Sequence, residues 1–370
     1  MVPTQHSTND RALYTAPMTS RERVHLALSH REPDRVPMDL WLTPEIEERL
    51  LRETGEADPY ALRVALGHDW LMESVGLAAS FYASPRARYV DPWGVTFARM
   101  PSANGTGSYT EIVGHPLAGD DSLLAAYRTP DPGEPRQYEK IASLIARYGS
   151  THSIVGGVHC AAFEGPWYLR GMERFLQDLL VNKDYAHELI DRVAGFYLDA
   201  GVRLARMGCD ILLSGDDVGT QDRMLISPDL WREFVKPRYE RLFGAYKREN
   251  PRLRIAVHIC GSIEPIIDDL IEVGVDILNP VQPLAMSPAR LKRRYGDRLS
   301  FWGAVDDQRV LPFGTPKDVE AEVRRRIAEL APGGGYIVCS SHNVQPNTPM
   351  ENVRAFYRAA REAGSYPIRS

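Results

Sequence analysis

Short apolar runs that alternate with helical stretches constrain this chain more than any other feature. From residue 154 onward six such runs read as strands: 154–159, 210–214, 254–260, 276–280, 299–305 and 336–340. Helix signals fill the gaps. Ser227-Pro228, Thr315-Pro316 and Thr348-Pro349 each place an N-cap hydroxyl before a proline at the first helical position, and Thr348-Pro349-Met350-Glu351 has capping-box spacing. Successive strands joined through helices pair in parallel, because the helix carries the chain back to the starting edge. Two earlier runs, 36–41 and 70–73, bring the count to eight. Eight predict an α/β fold of the (β/α)8 TIM-barrel type, with an open doubly wound sheet as the competing arrangement. Pro37 lies inside the first run and cannot donate to a ladder, so that strand is expected to begin after it.

The stretch from about 82 to 125 has a different texture. Tyr89 to Phe97 reads as strand-turn-strand and Asn104-Gly105 as a tight turn. Together they predict an antiparallel insertion after the second strand. Thr19-Ser20-Arg21-Glu22 has capping-box spacing and opens the first helix. Residues 1–18 are polar and mixed and predict a disordered tail, leaving 19–370 as one barrel domain.

Net charge is −5 with no basic block, which argues against a nucleic-acid surface. No apolar stretch is long enough to span a bilayer, and the first residues lack a signal-peptide core. The four cysteines, Cys160, Cys209, Cys260 and Cys339, are too scattered for a disulfide framework, and a reducing cytoplasm is the expected location.

In a barrel, chemistry gathers at the C-terminal ends of the strands. His258 and Cys260 end one run two residues apart, so they share a face. Cys339 ends another run. Imidazole and thiolate are the donors zinc prefers, and three protein ligands leave a fourth position open for water or substrate. The bland alternative is that both cysteines are small buried hydrophobes. Further polar residues follow other strands. Asp216 and Asp217 follow the fourth, and Asn279 and Gln282 flank the end of the sixth. His342 and Asn343 follow the eighth, and Glu164 follows the third. Asp217 and His342 are the candidate catalytic groups. Glu164, Asp216, Asn279, Gln282 and Asn343 are candidate substrate contacts, though each also suits loop capping, and Glu164 suits a labile fourth metal ligand. His159-Cys160 is a rival pair; adjacent strand residues face opposite ways, so one is expected to line the pocket and neither to bind metal.

Three segments carry a family resemblance: Arg21-Glu22-Arg23-Val24 through Pro37, Gly215-Asp216-Asp217-Val218-Gly219, and Gly335 through Pro346. On these the chain resembles the uroporphyrinogen decarboxylase superfamily from about Thr19 to Gly364, and its cobalamin-dependent methyltransferase branch more than the decarboxylases. The resemblance implies a (β/α)8 barrel. It also implies zinc on the pattern His-x-Cys, long gap, Cys, which His258, Cys260 and Cys339 match. The implied reaction is methyl transfer between a corrinoid and a thiol or similar acceptor. Implied partners are a corrinoid protein, or free methylcobalamin, and a small thiol or methylated substrate. The decarboxylases' paired-arginine motif after strand one is replaced here by Leu40-Trp41-Leu42-Thr43-Pro44-Glu45, and no Asp-x-His-x-x-Gly cobalamin motif is present. Two alternatives stay open: a methyltransferase of this fold that loads the corrinoid by O- or N-demethylation, and a metal-free decarboxylase-like lyase.

Overall fold

The computed structural model describes residues 18–81, 83, 84, 86–101 and 108–368. Nearly all of the expected tail, and the Asn104-Gly105 turn, lie outside these residues. Seven parallel strands form one sheet in the order β1 (Trp70–Ser74), β5 (Ser153–Gly157), β6 (Ile211–Ser214), β7 (Arg254–His258), β8 (Ile277–Asn279), β9 (Ser300–Val305) and β10 (Tyr336–Ser340). Helices connect them, and spatial order follows chain order throughout, as a curling barrel requires and a doubly wound sheet does not.

The eighth staff is not a regular strand. Residues 36–42 make only isolated parallel bridges, Met38 to Val338 and Leu42 to Val344. They nevertheless close the ring. On one side the Val338 N–H donates to the Pro37 carbonyl and the Asp39 N–H to the Val338 carbonyl; on the other the Asp69 N–H donates to the Met38 carbonyl. Pro37 has no N–H to give, but the strand expected to begin after it does not form either, since residues 38–42 make only these two bridges.

The barrel interior draws on nearly every staff. Trp70, Val155, Ile211, Leu213, Ala256, Ile277, Trp302, Ile337 and Cys339 pack together, with Trp41 and Met72 against them. Val24 and Leu28, from the N-terminal helix Ser20–Ala27 and its cap, join the same cluster and plug one end. Trp70 and Trp302 meet edge to face at 4.4 Å, the arrangement that the positive ring edge and negative ring face favour. A filled interior leaves the opposite, C-terminal end as the place for a site.

The expected insertion is a three-stranded antiparallel sheet, β2 (Arg88–Val90), β3 (Thr96–Pro101) and β4 (Ser108–Gly114). Most helix caps also follow expectation. Thr19 and Thr315 form capping boxes, and the Ser227 hydroxyl accepts from the Leu230 N–H. Thr348 does not cap: the last helix, Met350–Ala363, begins after Pro349 without a side-chain cap. None of the described helices is long and apolar enough to cross a membrane.

Candidate functional site

A cavity of about 490 Å³ opens at the C-terminal end of the barrel. Its walls come from the irregular staff (Asp39, Leu40, Trp41, Leu42), from β1, from His258 at the end of β7, from the loops after β5, β6 and β10, and from Thr110 of the insertion. The insertion therefore forms part of the pocket wall.

Two loops bring the main donor groups together. After β6 the chain turns through Gly215 to Gly219, and after β7 it passes His258 and Cys260. A Cβ on Gly215 would lie 1.9 Å from the His258 carbonyl oxygen, and one on Gly219 would lie 2.3 Å from the Cys260 carbonyl oxygen. Only glycine allows the loops to touch this closely. Across that contact the Cys260 N–H donates to Asp217 Oδ1 at 2.7 Å. The Gly261 N–H donates to the Gln282 side-chain oxygen, which pins the same loop from its other side.

His258 is held in one tautomer. The Asn279 side-chain NH₂ donates to the Trp302 carbonyl at 3.0 Å, so its oxygen must face the imidazole. That oxygen lies 2.5 Å from His258 Nδ1, which therefore carries the hydrogen. Nε2 is left as an acceptor, 3.3 Å from the Cys260 thiol and 4.0 Å from Asp217 Oδ1. An oriented imidazole with a hydrogen-bonded far nitrogen is the arrangement metal-binding histidines use. Trp41 stacks on the ring at 5.1 Å.

The third member of this cluster is His342. Ligand atoms of His258, Cys260 and His342 all lie within 4.8 Å of one another. The expected third ligand, Cys339, is not brought to the cluster. It shares a face of β10 with Ile337, and that face points into the packed barrel interior. Its thiol is fully buried, 3.9 Å from Asp39 Oδ2. The strand runs on to Ser340 before the loop delivers His342 to the mouth, where its ring lies 5.5 Å from that of His258.

Charge in the cavity favours a cation among these donors. Burial, and then the neighbouring Asp217 carboxylate, push the Cys260 thiol far above its usual range. Burial, then Asp217 and Asp216, push Glu164 well up. Burial with His258 alongside lowers His342 to about 4 and His159 to about 3. Unaided, these groups hold a neutral thiol and neutral imidazoles facing acidic neighbours. A divalent cation reverses that preference, since coordination removes the thiol proton. The donor set therefore fits zinc.

The remaining expected residues divide into two groups. Glu164 and Asn343 line the cavity with Asp217 and His342. Glu164 accepts from the Tyr168 hydroxyl at 2.8 Å. Asp216, Asn279 and Gln282 do not line it. Asp216 is fully buried and accepts from the N–H groups of Ala162, Phe163 and Glu164 and from the Tyr239 hydroxyl. It holds the loop that carries Glu164. Burial still pushes its carboxyl up to about 6 despite four donors. Asn279 and Gln282 orient His258 and the Cys260 loop. His159 and Cys160 both line the cavity, because β5 ends at Gly157 and strand alternation no longer applies to them.

Sequence reasoning missed Asp39 and Trp41. Burial raises the Asp39 carboxyl, but the His68 hydrogen bond and charge outweigh it and hold it below the usual range. Its other oxygen accepts from the Trp41 indole at 3.1 Å, which fixes the ring stacked on His258. A carboxylate inside an apolar run was the available signal.

The uroporphyrinogen decarboxylase family model matches residues 109–363. The chain belongs to the uroporphyrinogen decarboxylase family. Among curated relatives, the methylated-thiol–coenzyme M methyltransferase of Methanosarcina mazei is 29% identical over 60% of this chain and 56% of its own length. The methylcobamide:CoM methyltransferase MtaA of Methanosarcina barkeri is 24% identical over 93% of this chain and 98% of its own. A uroporphyrinogen decarboxylase of Synechococcus is 29% identical over 64% of this chain and 66% of its own. The fold matches a solved methyltransferase structure from Methanosarcina mazei with a TM-score of 0.71 over 94% of this chain and 99% of that one, at 21% identity.

Proposed function

We propose that the protein is a zinc-dependent methyltransferase that moves a methyl group between a corrinoid and a thiol. The convergence of His258, Cys260 and His342 at the mouth of a closed barrel carries this reading. It keeps the expected zinc chemistry but assigns the third ligand to His342 instead of Cys339. Zinc bound there supplies the positive charge that keeps a thiol deprotonated at neutral pH.

The chain's own residues do the rest. Asn279 fixes the His258 tautomer, and Asp217 holds the Cys260 backbone in place. Asp39 steadies Trp41, whose ring packs on His258 and excludes water from that side. The net change breaks the corrinoid's cobalt–methyl bond, whose electron pair stays on the cobalt as Co(I), forms the S–CH3 bond of a thioether and releases the thiol proton. A corrinoid delivered on a separate protein needs a landing surface at the mouth. Exposed Leu225 and Leu284 stand in the loops after β6 and β8, and exposed Phe313 ends the short helix Val310–Phe313 that follows β9, all on the C-terminal side. A porphyrinogen decarboxylase reading is disfavoured because the first staff presents Leu40, Trp41 and Leu42 to the cavity, with no cation among them for a substrate carboxylate.

The test is the spectroscopic loss of methylcobalamin on incubation with zinc-loaded protein and a panel of small thiols. Thiol-dependent demethylation that disappears in Cys260→Ala supports the reading. Corrinoid methylation by a methoxy or methylamine compound, with no thiol activity, would reassign the direction of transfer.

A further inference from the structure

The cavity wall carries three carboxyl groups, Asp39, Glu164 and Asp217, and one arginine, Arg63, with no lysine. Arg63 is already committed: its guanidinium pairs with Glu47 at 2.5 Å and donates to the Pro59 carbonyl at 3.0 Å. No other arginine or lysine among the described residues lines this cavity. Two buried polar atoms on the same wall have no partner, Nδ1 of His159 and Oγ1 of Thr110. A buried donor or acceptor left unpaired is costly, and a bound ligand can satisfy it.

From this wall we infer that the thiol acceptor is uncharged or cationic at its far end, and that an anionic thiol such as a sulfonate is excluded. The inference rests on the methyl-transfer reading above and narrows its substrate class. An anionic tail would enter a partly desolvated pocket beside the Asp39 and Asp217 carboxylates, with its only basic neighbour already paired; like-charge approach there is unfavourable. A hydroxyl or ammonium tail instead finds carboxyl oxygens as acceptors. A hydroxyl can also pair with His159 and Thr110. The pocket thus selects by rejecting one charge as well as by accepting another.

Three thiols of matched length test this: 2-mercaptoethanol, cysteamine and 2-mercaptoethanesulfonate. Binding of each to the zinc-loaded full chain is measured by isothermal titration calorimetry, and methylcobalamin consumption is followed in parallel. Cysteamine or mercaptoethanol is expected to bind at least about tenfold more tightly than the sulfonate. Sulfonate binding as tight as the other two overturns the charge inference while leaving methyl transfer to thiols intact. Binding of none of the three overturns both the inference and the thiol reading beneath it.

Discussion

Asn279 is the most informative place to perturb the site without touching a ligand. It is buried and spans His258 Nδ1 at 2.5 Å and the Trp302 carbonyl at 3.0 Å. Asn279→Ala removes both bonds. The imidazole is then free to rotate or change tautomer, and such losses behind a metal ligand cost about 10–100-fold in affinity, or about 1.4–2.7 kcal/mol. The stranded Trp302 carbonyl adds about 1–3 kcal/mol of lost stability. Asn279→Asp separates the two effects. The carboxylate still accepts from Nδ1–H but places an oxygen against the Trp302 carbonyl, so stability should fall while zinc affinity holds. Chelator competition measures the affinity and denaturant unfolding measures the stability. Wild-type affinity in Asn279→Ala would refute the claim that this amide orients His258.

Other predictions follow from the same geometry. Gly215→Ala places a methyl 1.9 Å from the His258 carbonyl at a φ of +143°, so a loss of more than about 3 kcal/mol is expected in urea unfolding; an unchanged midpoint would contradict the tight loop contact. Asp216 has its carboxyl raised from 3.8 to about 6 by burial, so the folded state holds the proton longer than the unfolded chain does. Its contribution is therefore fully present below about pH 4 and declines as pH rises through 6, by about 3 kcal/mol in all. Asp216→Asn removes this slope, and the destabilisation it causes should be larger at pH 4.5 than at pH 7. An equal loss at both would show that the group does not titrate in that window.

Much of the fold was legible because most barrel strands are short apolar runs separated by helical stretches. The first staff was the exception: Pro37 removes one ladder donor, and the run beyond it also fails to form a regular strand. The site was legible in part. His258 and Cys260 lie two residues apart at a strand end, where direction follows from alternation. Cys339 and His342 could not be ranked that way. Which of them reaches the mouth depends on where β10 stops, and the apolar run suggests Cys339 while the backbone continues to Ser340. The alternation of Ile337 with Cys339 held the correct signal, since it puts the thiol on the inward face. Asp216 and Asp217 are adjacent in sequence, yet one clamps a loop and the other faces the cavity. That division depends on the Gly215 turn and on Tyr239, which lies 23 residues later. Thr110 enters the pocket only through the insertion's fold, which no local pattern specifies.

Metal content of the purified full chain decides whether His258, Cys260 and His342 hold zinc. Zinc is measured by mass spectrometry in wild type, Cys260→Ala, His342→Ala and Cys339→Ala, each checked for folding by circular dichroism. About one zinc per chain is expected in wild type and in Cys339→Ala, with loss in Cys260→Ala and His342→Ala. A wild type without zinc, or zinc that survives His342→Ala but is lost in Cys339→Ala, would contradict it.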